Sequence, residues 1–130
     1  MTLRSNQVAG LAAAIAEIRP LPAPADALIH QHFRRHAEIG RADRAFITEG
    51  VFAYLRRRRS IETLAATTQP EKLALATLVR VQGHSVRELE GVVRAADARW
   101  LREFKARTDA TLDAATLAEL PDWLWQRLGA

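Results

Sequence analysis

The stretch PEKLALATLVRVQ, residues 70–82, decides the fold class. Pro70 suits the first turn of a helix, where its missing N–H leaves no bond unmade, and Glu71 suits the positive end of the helix dipole. Beyond them Leu73, Leu75, Ala76, Leu78, Val79 and Val81 fall on nearly every side at 100° per residue. Such a helix has no wide face for water and belongs in the middle of a bundle. Gly83 closes it.

The flanking sequence supplies partners of the same kind. Upstream, residues 6–19 carry Leu11, Ile15 and Ile18 on one face and stop at Pro20, Pro22 and Pro24. A second helix starts near Ala25, with Leu28, Ile29, His32, Phe33 and His36 on a stripe, and is expected to end at Gly40. A third, RAFITEGVFAYLRRRRS (residues 44–60), has Phe46, Ile47, Gly50, Val51, Tyr54 and Leu55 on one continuous stripe. Gly50 costs such a helix ~1 kcal/mol, so its place on the stripe implies another helix packed closely there. Ser60 is read as the cap of a short helix reaching about Ala66. Downstream, Ser85 to Glu88, SVRE, is a capping box. Residues 95–107 put Ala96, Trp100, Leu101 and Phe104 on one face, and PDWLWQRLG opens a last helix at Pro121. The expectation is one all-α domain over residues 1–130, a single bundle of about six or seven helices. Residues 1–5 would be a short tail, and residues 121–130 would begin a connection to a further domain.

Composition removes several chemistries. There is no cysteine, so disulfides, thiolate zinc sites and cysteine nucleophiles are excluded. The six glycines are isolated and make no phosphate-cradling loop. No motif gathers a nucleophile, a base and an orienting acid, so no catalytic residues are assigned. The longest apolar run, Val8 to Ala16, is about half of the ~20 residues a membrane span needs. Glu17 and Arg19 interrupt its likeness to a secretory leader, and the expected location is the cytoplasm.

Charge points towards nucleic acid. Only Lys72 and Lys105 are lysines; every other basic residue is arginine, the side chain that forks onto phosphate and stacks on bases, although a GC-rich genome gives the same bias. Residues 1–60 hold ten basic against five acidic residues, and residues 61–130 nine against ten, so the positive field belongs to the first half. Arg56, Arg57, Arg58 and Arg59 would point in four directions on a continuous helix. About two could face one ligand, with the others at the helix end or paired to acids. With Arg34 and Arg35 they are the candidate RNA-binding residues, and Arg41 and Arg44 could share their surface. The opposing reading is a solvated helix end. His32 and His36 stand at i, i+4, a metal-sharing spacing. Phe33 takes the place of a protease's general base, however, and Arg34 and Arg35 repel a cation. These histidines are therefore read as hydrogen-bonded and partly buried, and no metal is assigned. A helix-turn-helix over residues 83–107, with Arg99, Arg102 and Lys105 facing DNA, is a further alternative.

The run DALIHQHFRRHAEIGRADRAFITEGVFAYLRRRRSIETL (residues 26–64) resembles the N-terminal helical domain of the Sun (RsmB/NOP) family of RNA cytosine-C5 methyltransferases, and LPDWLWQRL (residues 120–128) is similar to a family segment leading into the catalytic part. The likeness covers roughly Ala25 to Leu128. It implies a NusB-like fold, a link to ribosomal-RNA modification, and two partners: RNA and the enzyme's own C-terminal catalytic domain. It implies S-adenosylmethionine for that catalytic domain and no cofactor for this chain. The family's cysteine nucleophile has no counterpart here, so the covalent cytosine adduct cannot form on these residues. Asp43 and Arg44 match the family's Asp-Arg pair and are read as a structural ion pair at a helix start. The runner-up function is a helical module that only packs on its own catalytic domain.

Overall fold

A computed structural model of the chain describes residues 3–111, with side chains to residue 108. Among these residues are seven helices: α1 (Ser5–Ile18), α2 (Ala25–Arg35), α3 (Arg41–Arg56), α4 (Arg58–Ala65), α5 (Pro70–Arg80), α6 (Val86–Glu90) and α7 (Ala95–Thr111). The all-α bundle expected from the sequence is the fold observed. The segment expected to form a last helix, residues 121–129, lies outside the described residues.

Helix α5 is the axis. Every residue from Leu73 to Leu78 is fully buried, and Val79 is nearly so. α5 touches α1, α3, α4 and α7, which is how a helix without a polar face satisfies all its sides. Each buried leucine contributes roughly 1.5–3 kcal/mol. Thr77, the polar residue in this run, donates its hydroxyl to the Leu73 carbonyl at 2.8 Å and so enters the core with its hydrogen bond made. The helix ends in a left-handed turn at Gly83 (φ 78°). There the N–H groups of Gln82 and His84 reach back to the carbonyls of Thr77 and Leu78.

α1 and α3 pack through glycines. A β-carbon on Gly50 would stand 2.6 Å from Leu11 Cδ1, and one on Gly10 would stand 2.9 Å from Ile47 Cδ1. The two helices therefore interlock, the large side chain of one over the glycine of the other, and the close approach expected at Gly50 is present.

Three local expectations change. α2 stops at Arg35, short of Gly40, and Gly40 becomes the N-cap of α3 with extended backbone. The helix carrying the arginine run breaks inside it: Arg57 (φ −121°, ψ 23°) ends α3 and caps α4. Ser60 is thus inside α4, buried, with its hydroxyl donating to the Arg57 carbonyl at 3.1 Å; it is not a cap. On α7 the buried stripe is Ala98, Leu101, Phe104 and Thr108, with Ala96 exposed. The SVRE box forms as expected: Glu88 N–H donates to Ser85 Oγ at 3.1 Å, and Ser85 N–H donates to Glu88 Oε1 at 2.9 Å. No described helix is long and apolar enough to cross a membrane.

Three substitutions test this fold by urea denaturation. Gly50→Ala should cost about 1–3 kcal/mol despite alanine's better helix propensity, because Leu11 has no free space to enter. Gly91→Ala, where a β-carbon meets nothing within 4 Å, should stay within about 0.5 kcal/mol. Ala66 ends α4 in the left-handed region (φ 55°, ψ 33°), so Ala66→Gly should stabilise the fold by about 1 kcal/mol.

Candidate nucleic-acid interface

The four arginines flank the α3–α4 joint rather than one helix end. Arg56 is the last residue of α3, Arg57 is the joint, and Arg58 and Arg59 open α4. Two of them therefore sit at a helix N-terminus, where a cation opposes the dipole. A carboxylate compensates. Glu62, one turn into α4, accepts from Arg58 Nε at 3.1 Å, from Arg19 Nε at 2.9 Å and from the Tyr54 hydroxyl. Arg19 lies just beyond α1, Tyr54 on α3 and Arg58 on α4, so one carboxylate ties three helices. Burial alone would raise the Glu62 carboxyl, but hydrogen bonds from Arg19 and Tyr54 and the charges of Arg19 and Arg58 outweigh it and hold it below the usual carboxylate range. Burial, then the hydrogen bond to Glu62, pushes the Tyr54 phenol up.

Arg56 differs. It is exposed and makes no hydrogen bond or ion pair with a described residue. It edges a shallow depression with Thr48, Glu49, Phe52, Ala53, Val81 and Gln82. The side-chain carbonyl oxygen of Gln82 is buried and meets no donor among the described residues. Arg57 lines a neighbouring depression with Ser60, Leu64, Arg80 and Val81. The ends of α3 and α5 and the start of α4 thus converge on a surface carrying Arg56, Arg57 and Arg80, with exposed Glu49 beside Arg56.

The other basic residues lie elsewhere. Arg34 and Arg35 end α2 and Arg41 begins α3, about 22 Å of helix rise from Arg56. The shared surface expected from sequence proximity is therefore two separate regions. Arg34 and Arg41 are exposed and make no bond to a described residue, whereas Arg35 donates to Glu17 Oε1 at 2.9 Å. Asp43 and Arg44 are both structural, but not as a pair with each other. Asp43 accepts from Arg4 Nη2 at 2.6 Å and Asn6 Nδ2 at 3.3 Å, fixing the start of α1 to α3. Arg44 donates to the carbonyls of Ile39 (2.8 Å) and Ala37 (3.1 Å) and covers the Phe33 ring at 5.2 Å, which holds the α2–α3 turn.

The helix-turn-helix alternative finds little here. α6 has five residues, Arg102 pairs with Glu90 at 3.0 Å, and Trp100 stacks on buried Phe104 with ring centroids 5.0 Å apart.

His32 lies on α2 and His36 just past its end (φ −121°, ψ 59°), so they do not share a helix face as their spacing suggested, yet they share a partner that spacing could not reveal. Glu17 Oε2, from α1, lies 2.8 Å from His32 Nδ1 and 3.1 Å from His36 Nε2. Burial raises the Glu17 carboxyl, but the bonds from His32, His36 and Arg35 together bring it below its usual value.

No family model, no curated protein and no solved structure matches the chain.

Acid titration tests the carboxylate ties. Glu17 and Glu62 titrate in the folded chain below the ordinary glutamate value of 4.5. Their contribution is complete above the unfolded value and is lost as pH falls through the folded one. Stability measured by urea midpoints should be level at neutral pH and fall below about pH 4.5. Glu62→Gln should lower the neutral plateau and flatten that acid limb, which a midpoint series from neutral pH down to about pH 3 would read.

Proposed function

We propose that this chain is a noncatalytic, RNA-associated helical domain of an S-adenosylmethionine-dependent RNA cytosine-C5 methyltransferase, acting on ribosomal RNA in the cytoplasm. The resemblance of residues 26–64 to that family and the all-helical bundle around them support the class. The observation that carries the RNA role is the α3–α4 joint, where Arg56 is exposed and makes no bond to a described residue. Arginine suits a phosphodiester oxygen.

The residues do not fit S-adenosylmethionine. Gly10 and Gly50 sit in helix–helix contacts, Gly83 and Gly91 at helix ends, and Gly40 at a helix cap. No described glycine forms a loop for a nucleotide-like cofactor. The chain contributes binding and positioning, and it packs on the enzyme's own catalytic domain, where the methyl donor and the nucleophile reside.

The test is fluorescence anisotropy with a structured ribosomal-RNA hairpin over a potassium chloride series. Arg56→Gln should weaken binding and reduce the slope of log K against log salt by about 0.7–0.9 for each phosphate that Arg56 neutralises. Arg58→Gln should change RNA affinity less and stability more, because Arg58 is held by Glu62 at 3.1 Å. Equal affinity and slope for wild type and Arg56→Gln would leave only a packing module. Tighter binding to duplex DNA than to the hairpin would overturn the RNA assignment.

A further inference from the structure

We propose that Glu17, His32 and His36 form a site for one divalent transition-metal cation of the zinc type, clipping α2 to α1. The three side chains offer two imidazole nitrogens and one carboxylate oxygen, all within 4.8 Å of one another. Around a tetrahedral zinc with bonds of roughly 2.0–2.2 Å, neighbouring donors stand about 3.3–3.5 Å apart. The observed 2.8 Å from Glu17 Oε2 to His32 Nδ1 and 3.1 Å to His36 Nε2 are the hydrogen-bonded spacings of the same set. Opening these two by roughly half an ångström, with the two imidazole nitrogens, which lie within 4.8 Å of each other, brought to the same spacing, admits the ion. Two nitrogens and an oxygen fit zinc, which takes water in its fourth position.

The surroundings are built for ligation in three respects. His32 is only 2% exposed and its Nδ1 faces Glu17, so burial fixes the ring. His36 is 39% exposed, which leaves a path for the ion. The far nitrogen of His36, Nδ1, lies 3.7 Å from Glu38 Oε1. Metal binding displaces the proton that Nε2 shares with Glu17, and a carboxylate near Nδ1 favours the tautomer that carries its proton there. Arg35 is the opposing charge. It binds the other carboxylate oxygen, Oε1, at 2.9 Å and leaves Oε2 to the two imidazoles. Its side chain is 56% exposed, so water screens it from the ion. Phe33 stands where a zinc protease carries its base, so the site holds a cation and performs no hydrolysis.

The site is tested with the full chain, stripped by a chelator and titrated with zinc chloride by calorimetry at neutral pH. One equivalent should bind per chain, and zinc should raise the melting temperature. His36→Ala and Glu17→Gln should each weaken binding by about tenfold or more and remove the thermal shift. His30→Ala, at an exposed histidine on the same helix, should bind as the wild type does. Circular dichroism confirms that each variant is folded, and His36, being partly exposed, is the safer of the two ligand substitutions. Absence of stoichiometric binding, or zinc affinity unchanged in folded His36→Ala, would overturn the site.

Discussion

Seven consecutive buried residues, Leu73 to Val79, impose the condition that the rest of the bundle meets. A helix buried on all sides must be enclosed, so α1, α3, α4 and α7 each turn an apolar stripe towards it. Enclosure brings those outer helices against one another as well. α1 touches both α5 and α3, which requires α1 and α3 to approach closely, and Gly10 and Gly50 permit it. The polar residues caught inside meet the same condition. Thr77 and Thr108 turn their hydroxyls onto the carbonyls one turn back, at 2.8 Å in each case, so neither enters the core unbonded.

Acids organise what the apolar core leaves open. Glu17 gathers His32, His36 and Arg35; Glu62 gathers Arg19, Arg58 and Tyr54; Asp43 gathers Arg4 and Asn6. In each case the carboxylate and its partners come from different elements, except for the one-turn pair Arg58–Glu62. Fixed in this way, a carboxylate adds a polar tie between helices. It also sorts the arginines. Those drawn inward lose their availability to a ligand, and the positive field read from composition becomes local, at Arg56 on one end of α3 and at Arg34 and Arg41 on the other.

The features legible in the sequence are those governed by local rules. The all-round apolar pattern of residues 70–82, the three prolines after α1, the SVRE box and the glycine on the α3 stripe each depend on neighbours within a few turns, and each appears in the structure. The break at Arg57 has no such signal. Four arginines are good helix formers with no glycine or proline among them, and the bend comes from tertiary contacts: Tyr54 and Arg19 hold Glu62, and Ile61 is buried in the core. The partners of His32 and His36 are hidden for the same reason. Glu17 is 15 residues from His32 on another helix, and a spacing rule within one helix cannot see across the bundle. Asp43 and Arg44, adjacent in sequence, look like a pair, yet successive residues on a helix point about 100° apart, and each finds a partner in a different direction.

The α2–α3 turn joins the two charged groupings in one mechanical unit. Arg44 pins its carbonyls from the α3 side, and the Glu17 set holds the end of α2 against α1. A turn held from both sides carries Arg34 and Arg41 on fixed backbone, with freedom left only in their side chains. At the far end of α3 the joint at Arg57 is held in the same way, by Glu62 acting on Arg58, Tyr54 and Arg19. Near both ends of α3, therefore, a partly buried carboxylate fixes the backbone and holds one arginine while another stays exposed. Arg58 and Arg35 are held by those carboxylates, whereas Arg56 and Arg34, nearby in sequence, are exposed and make no bond to a described residue.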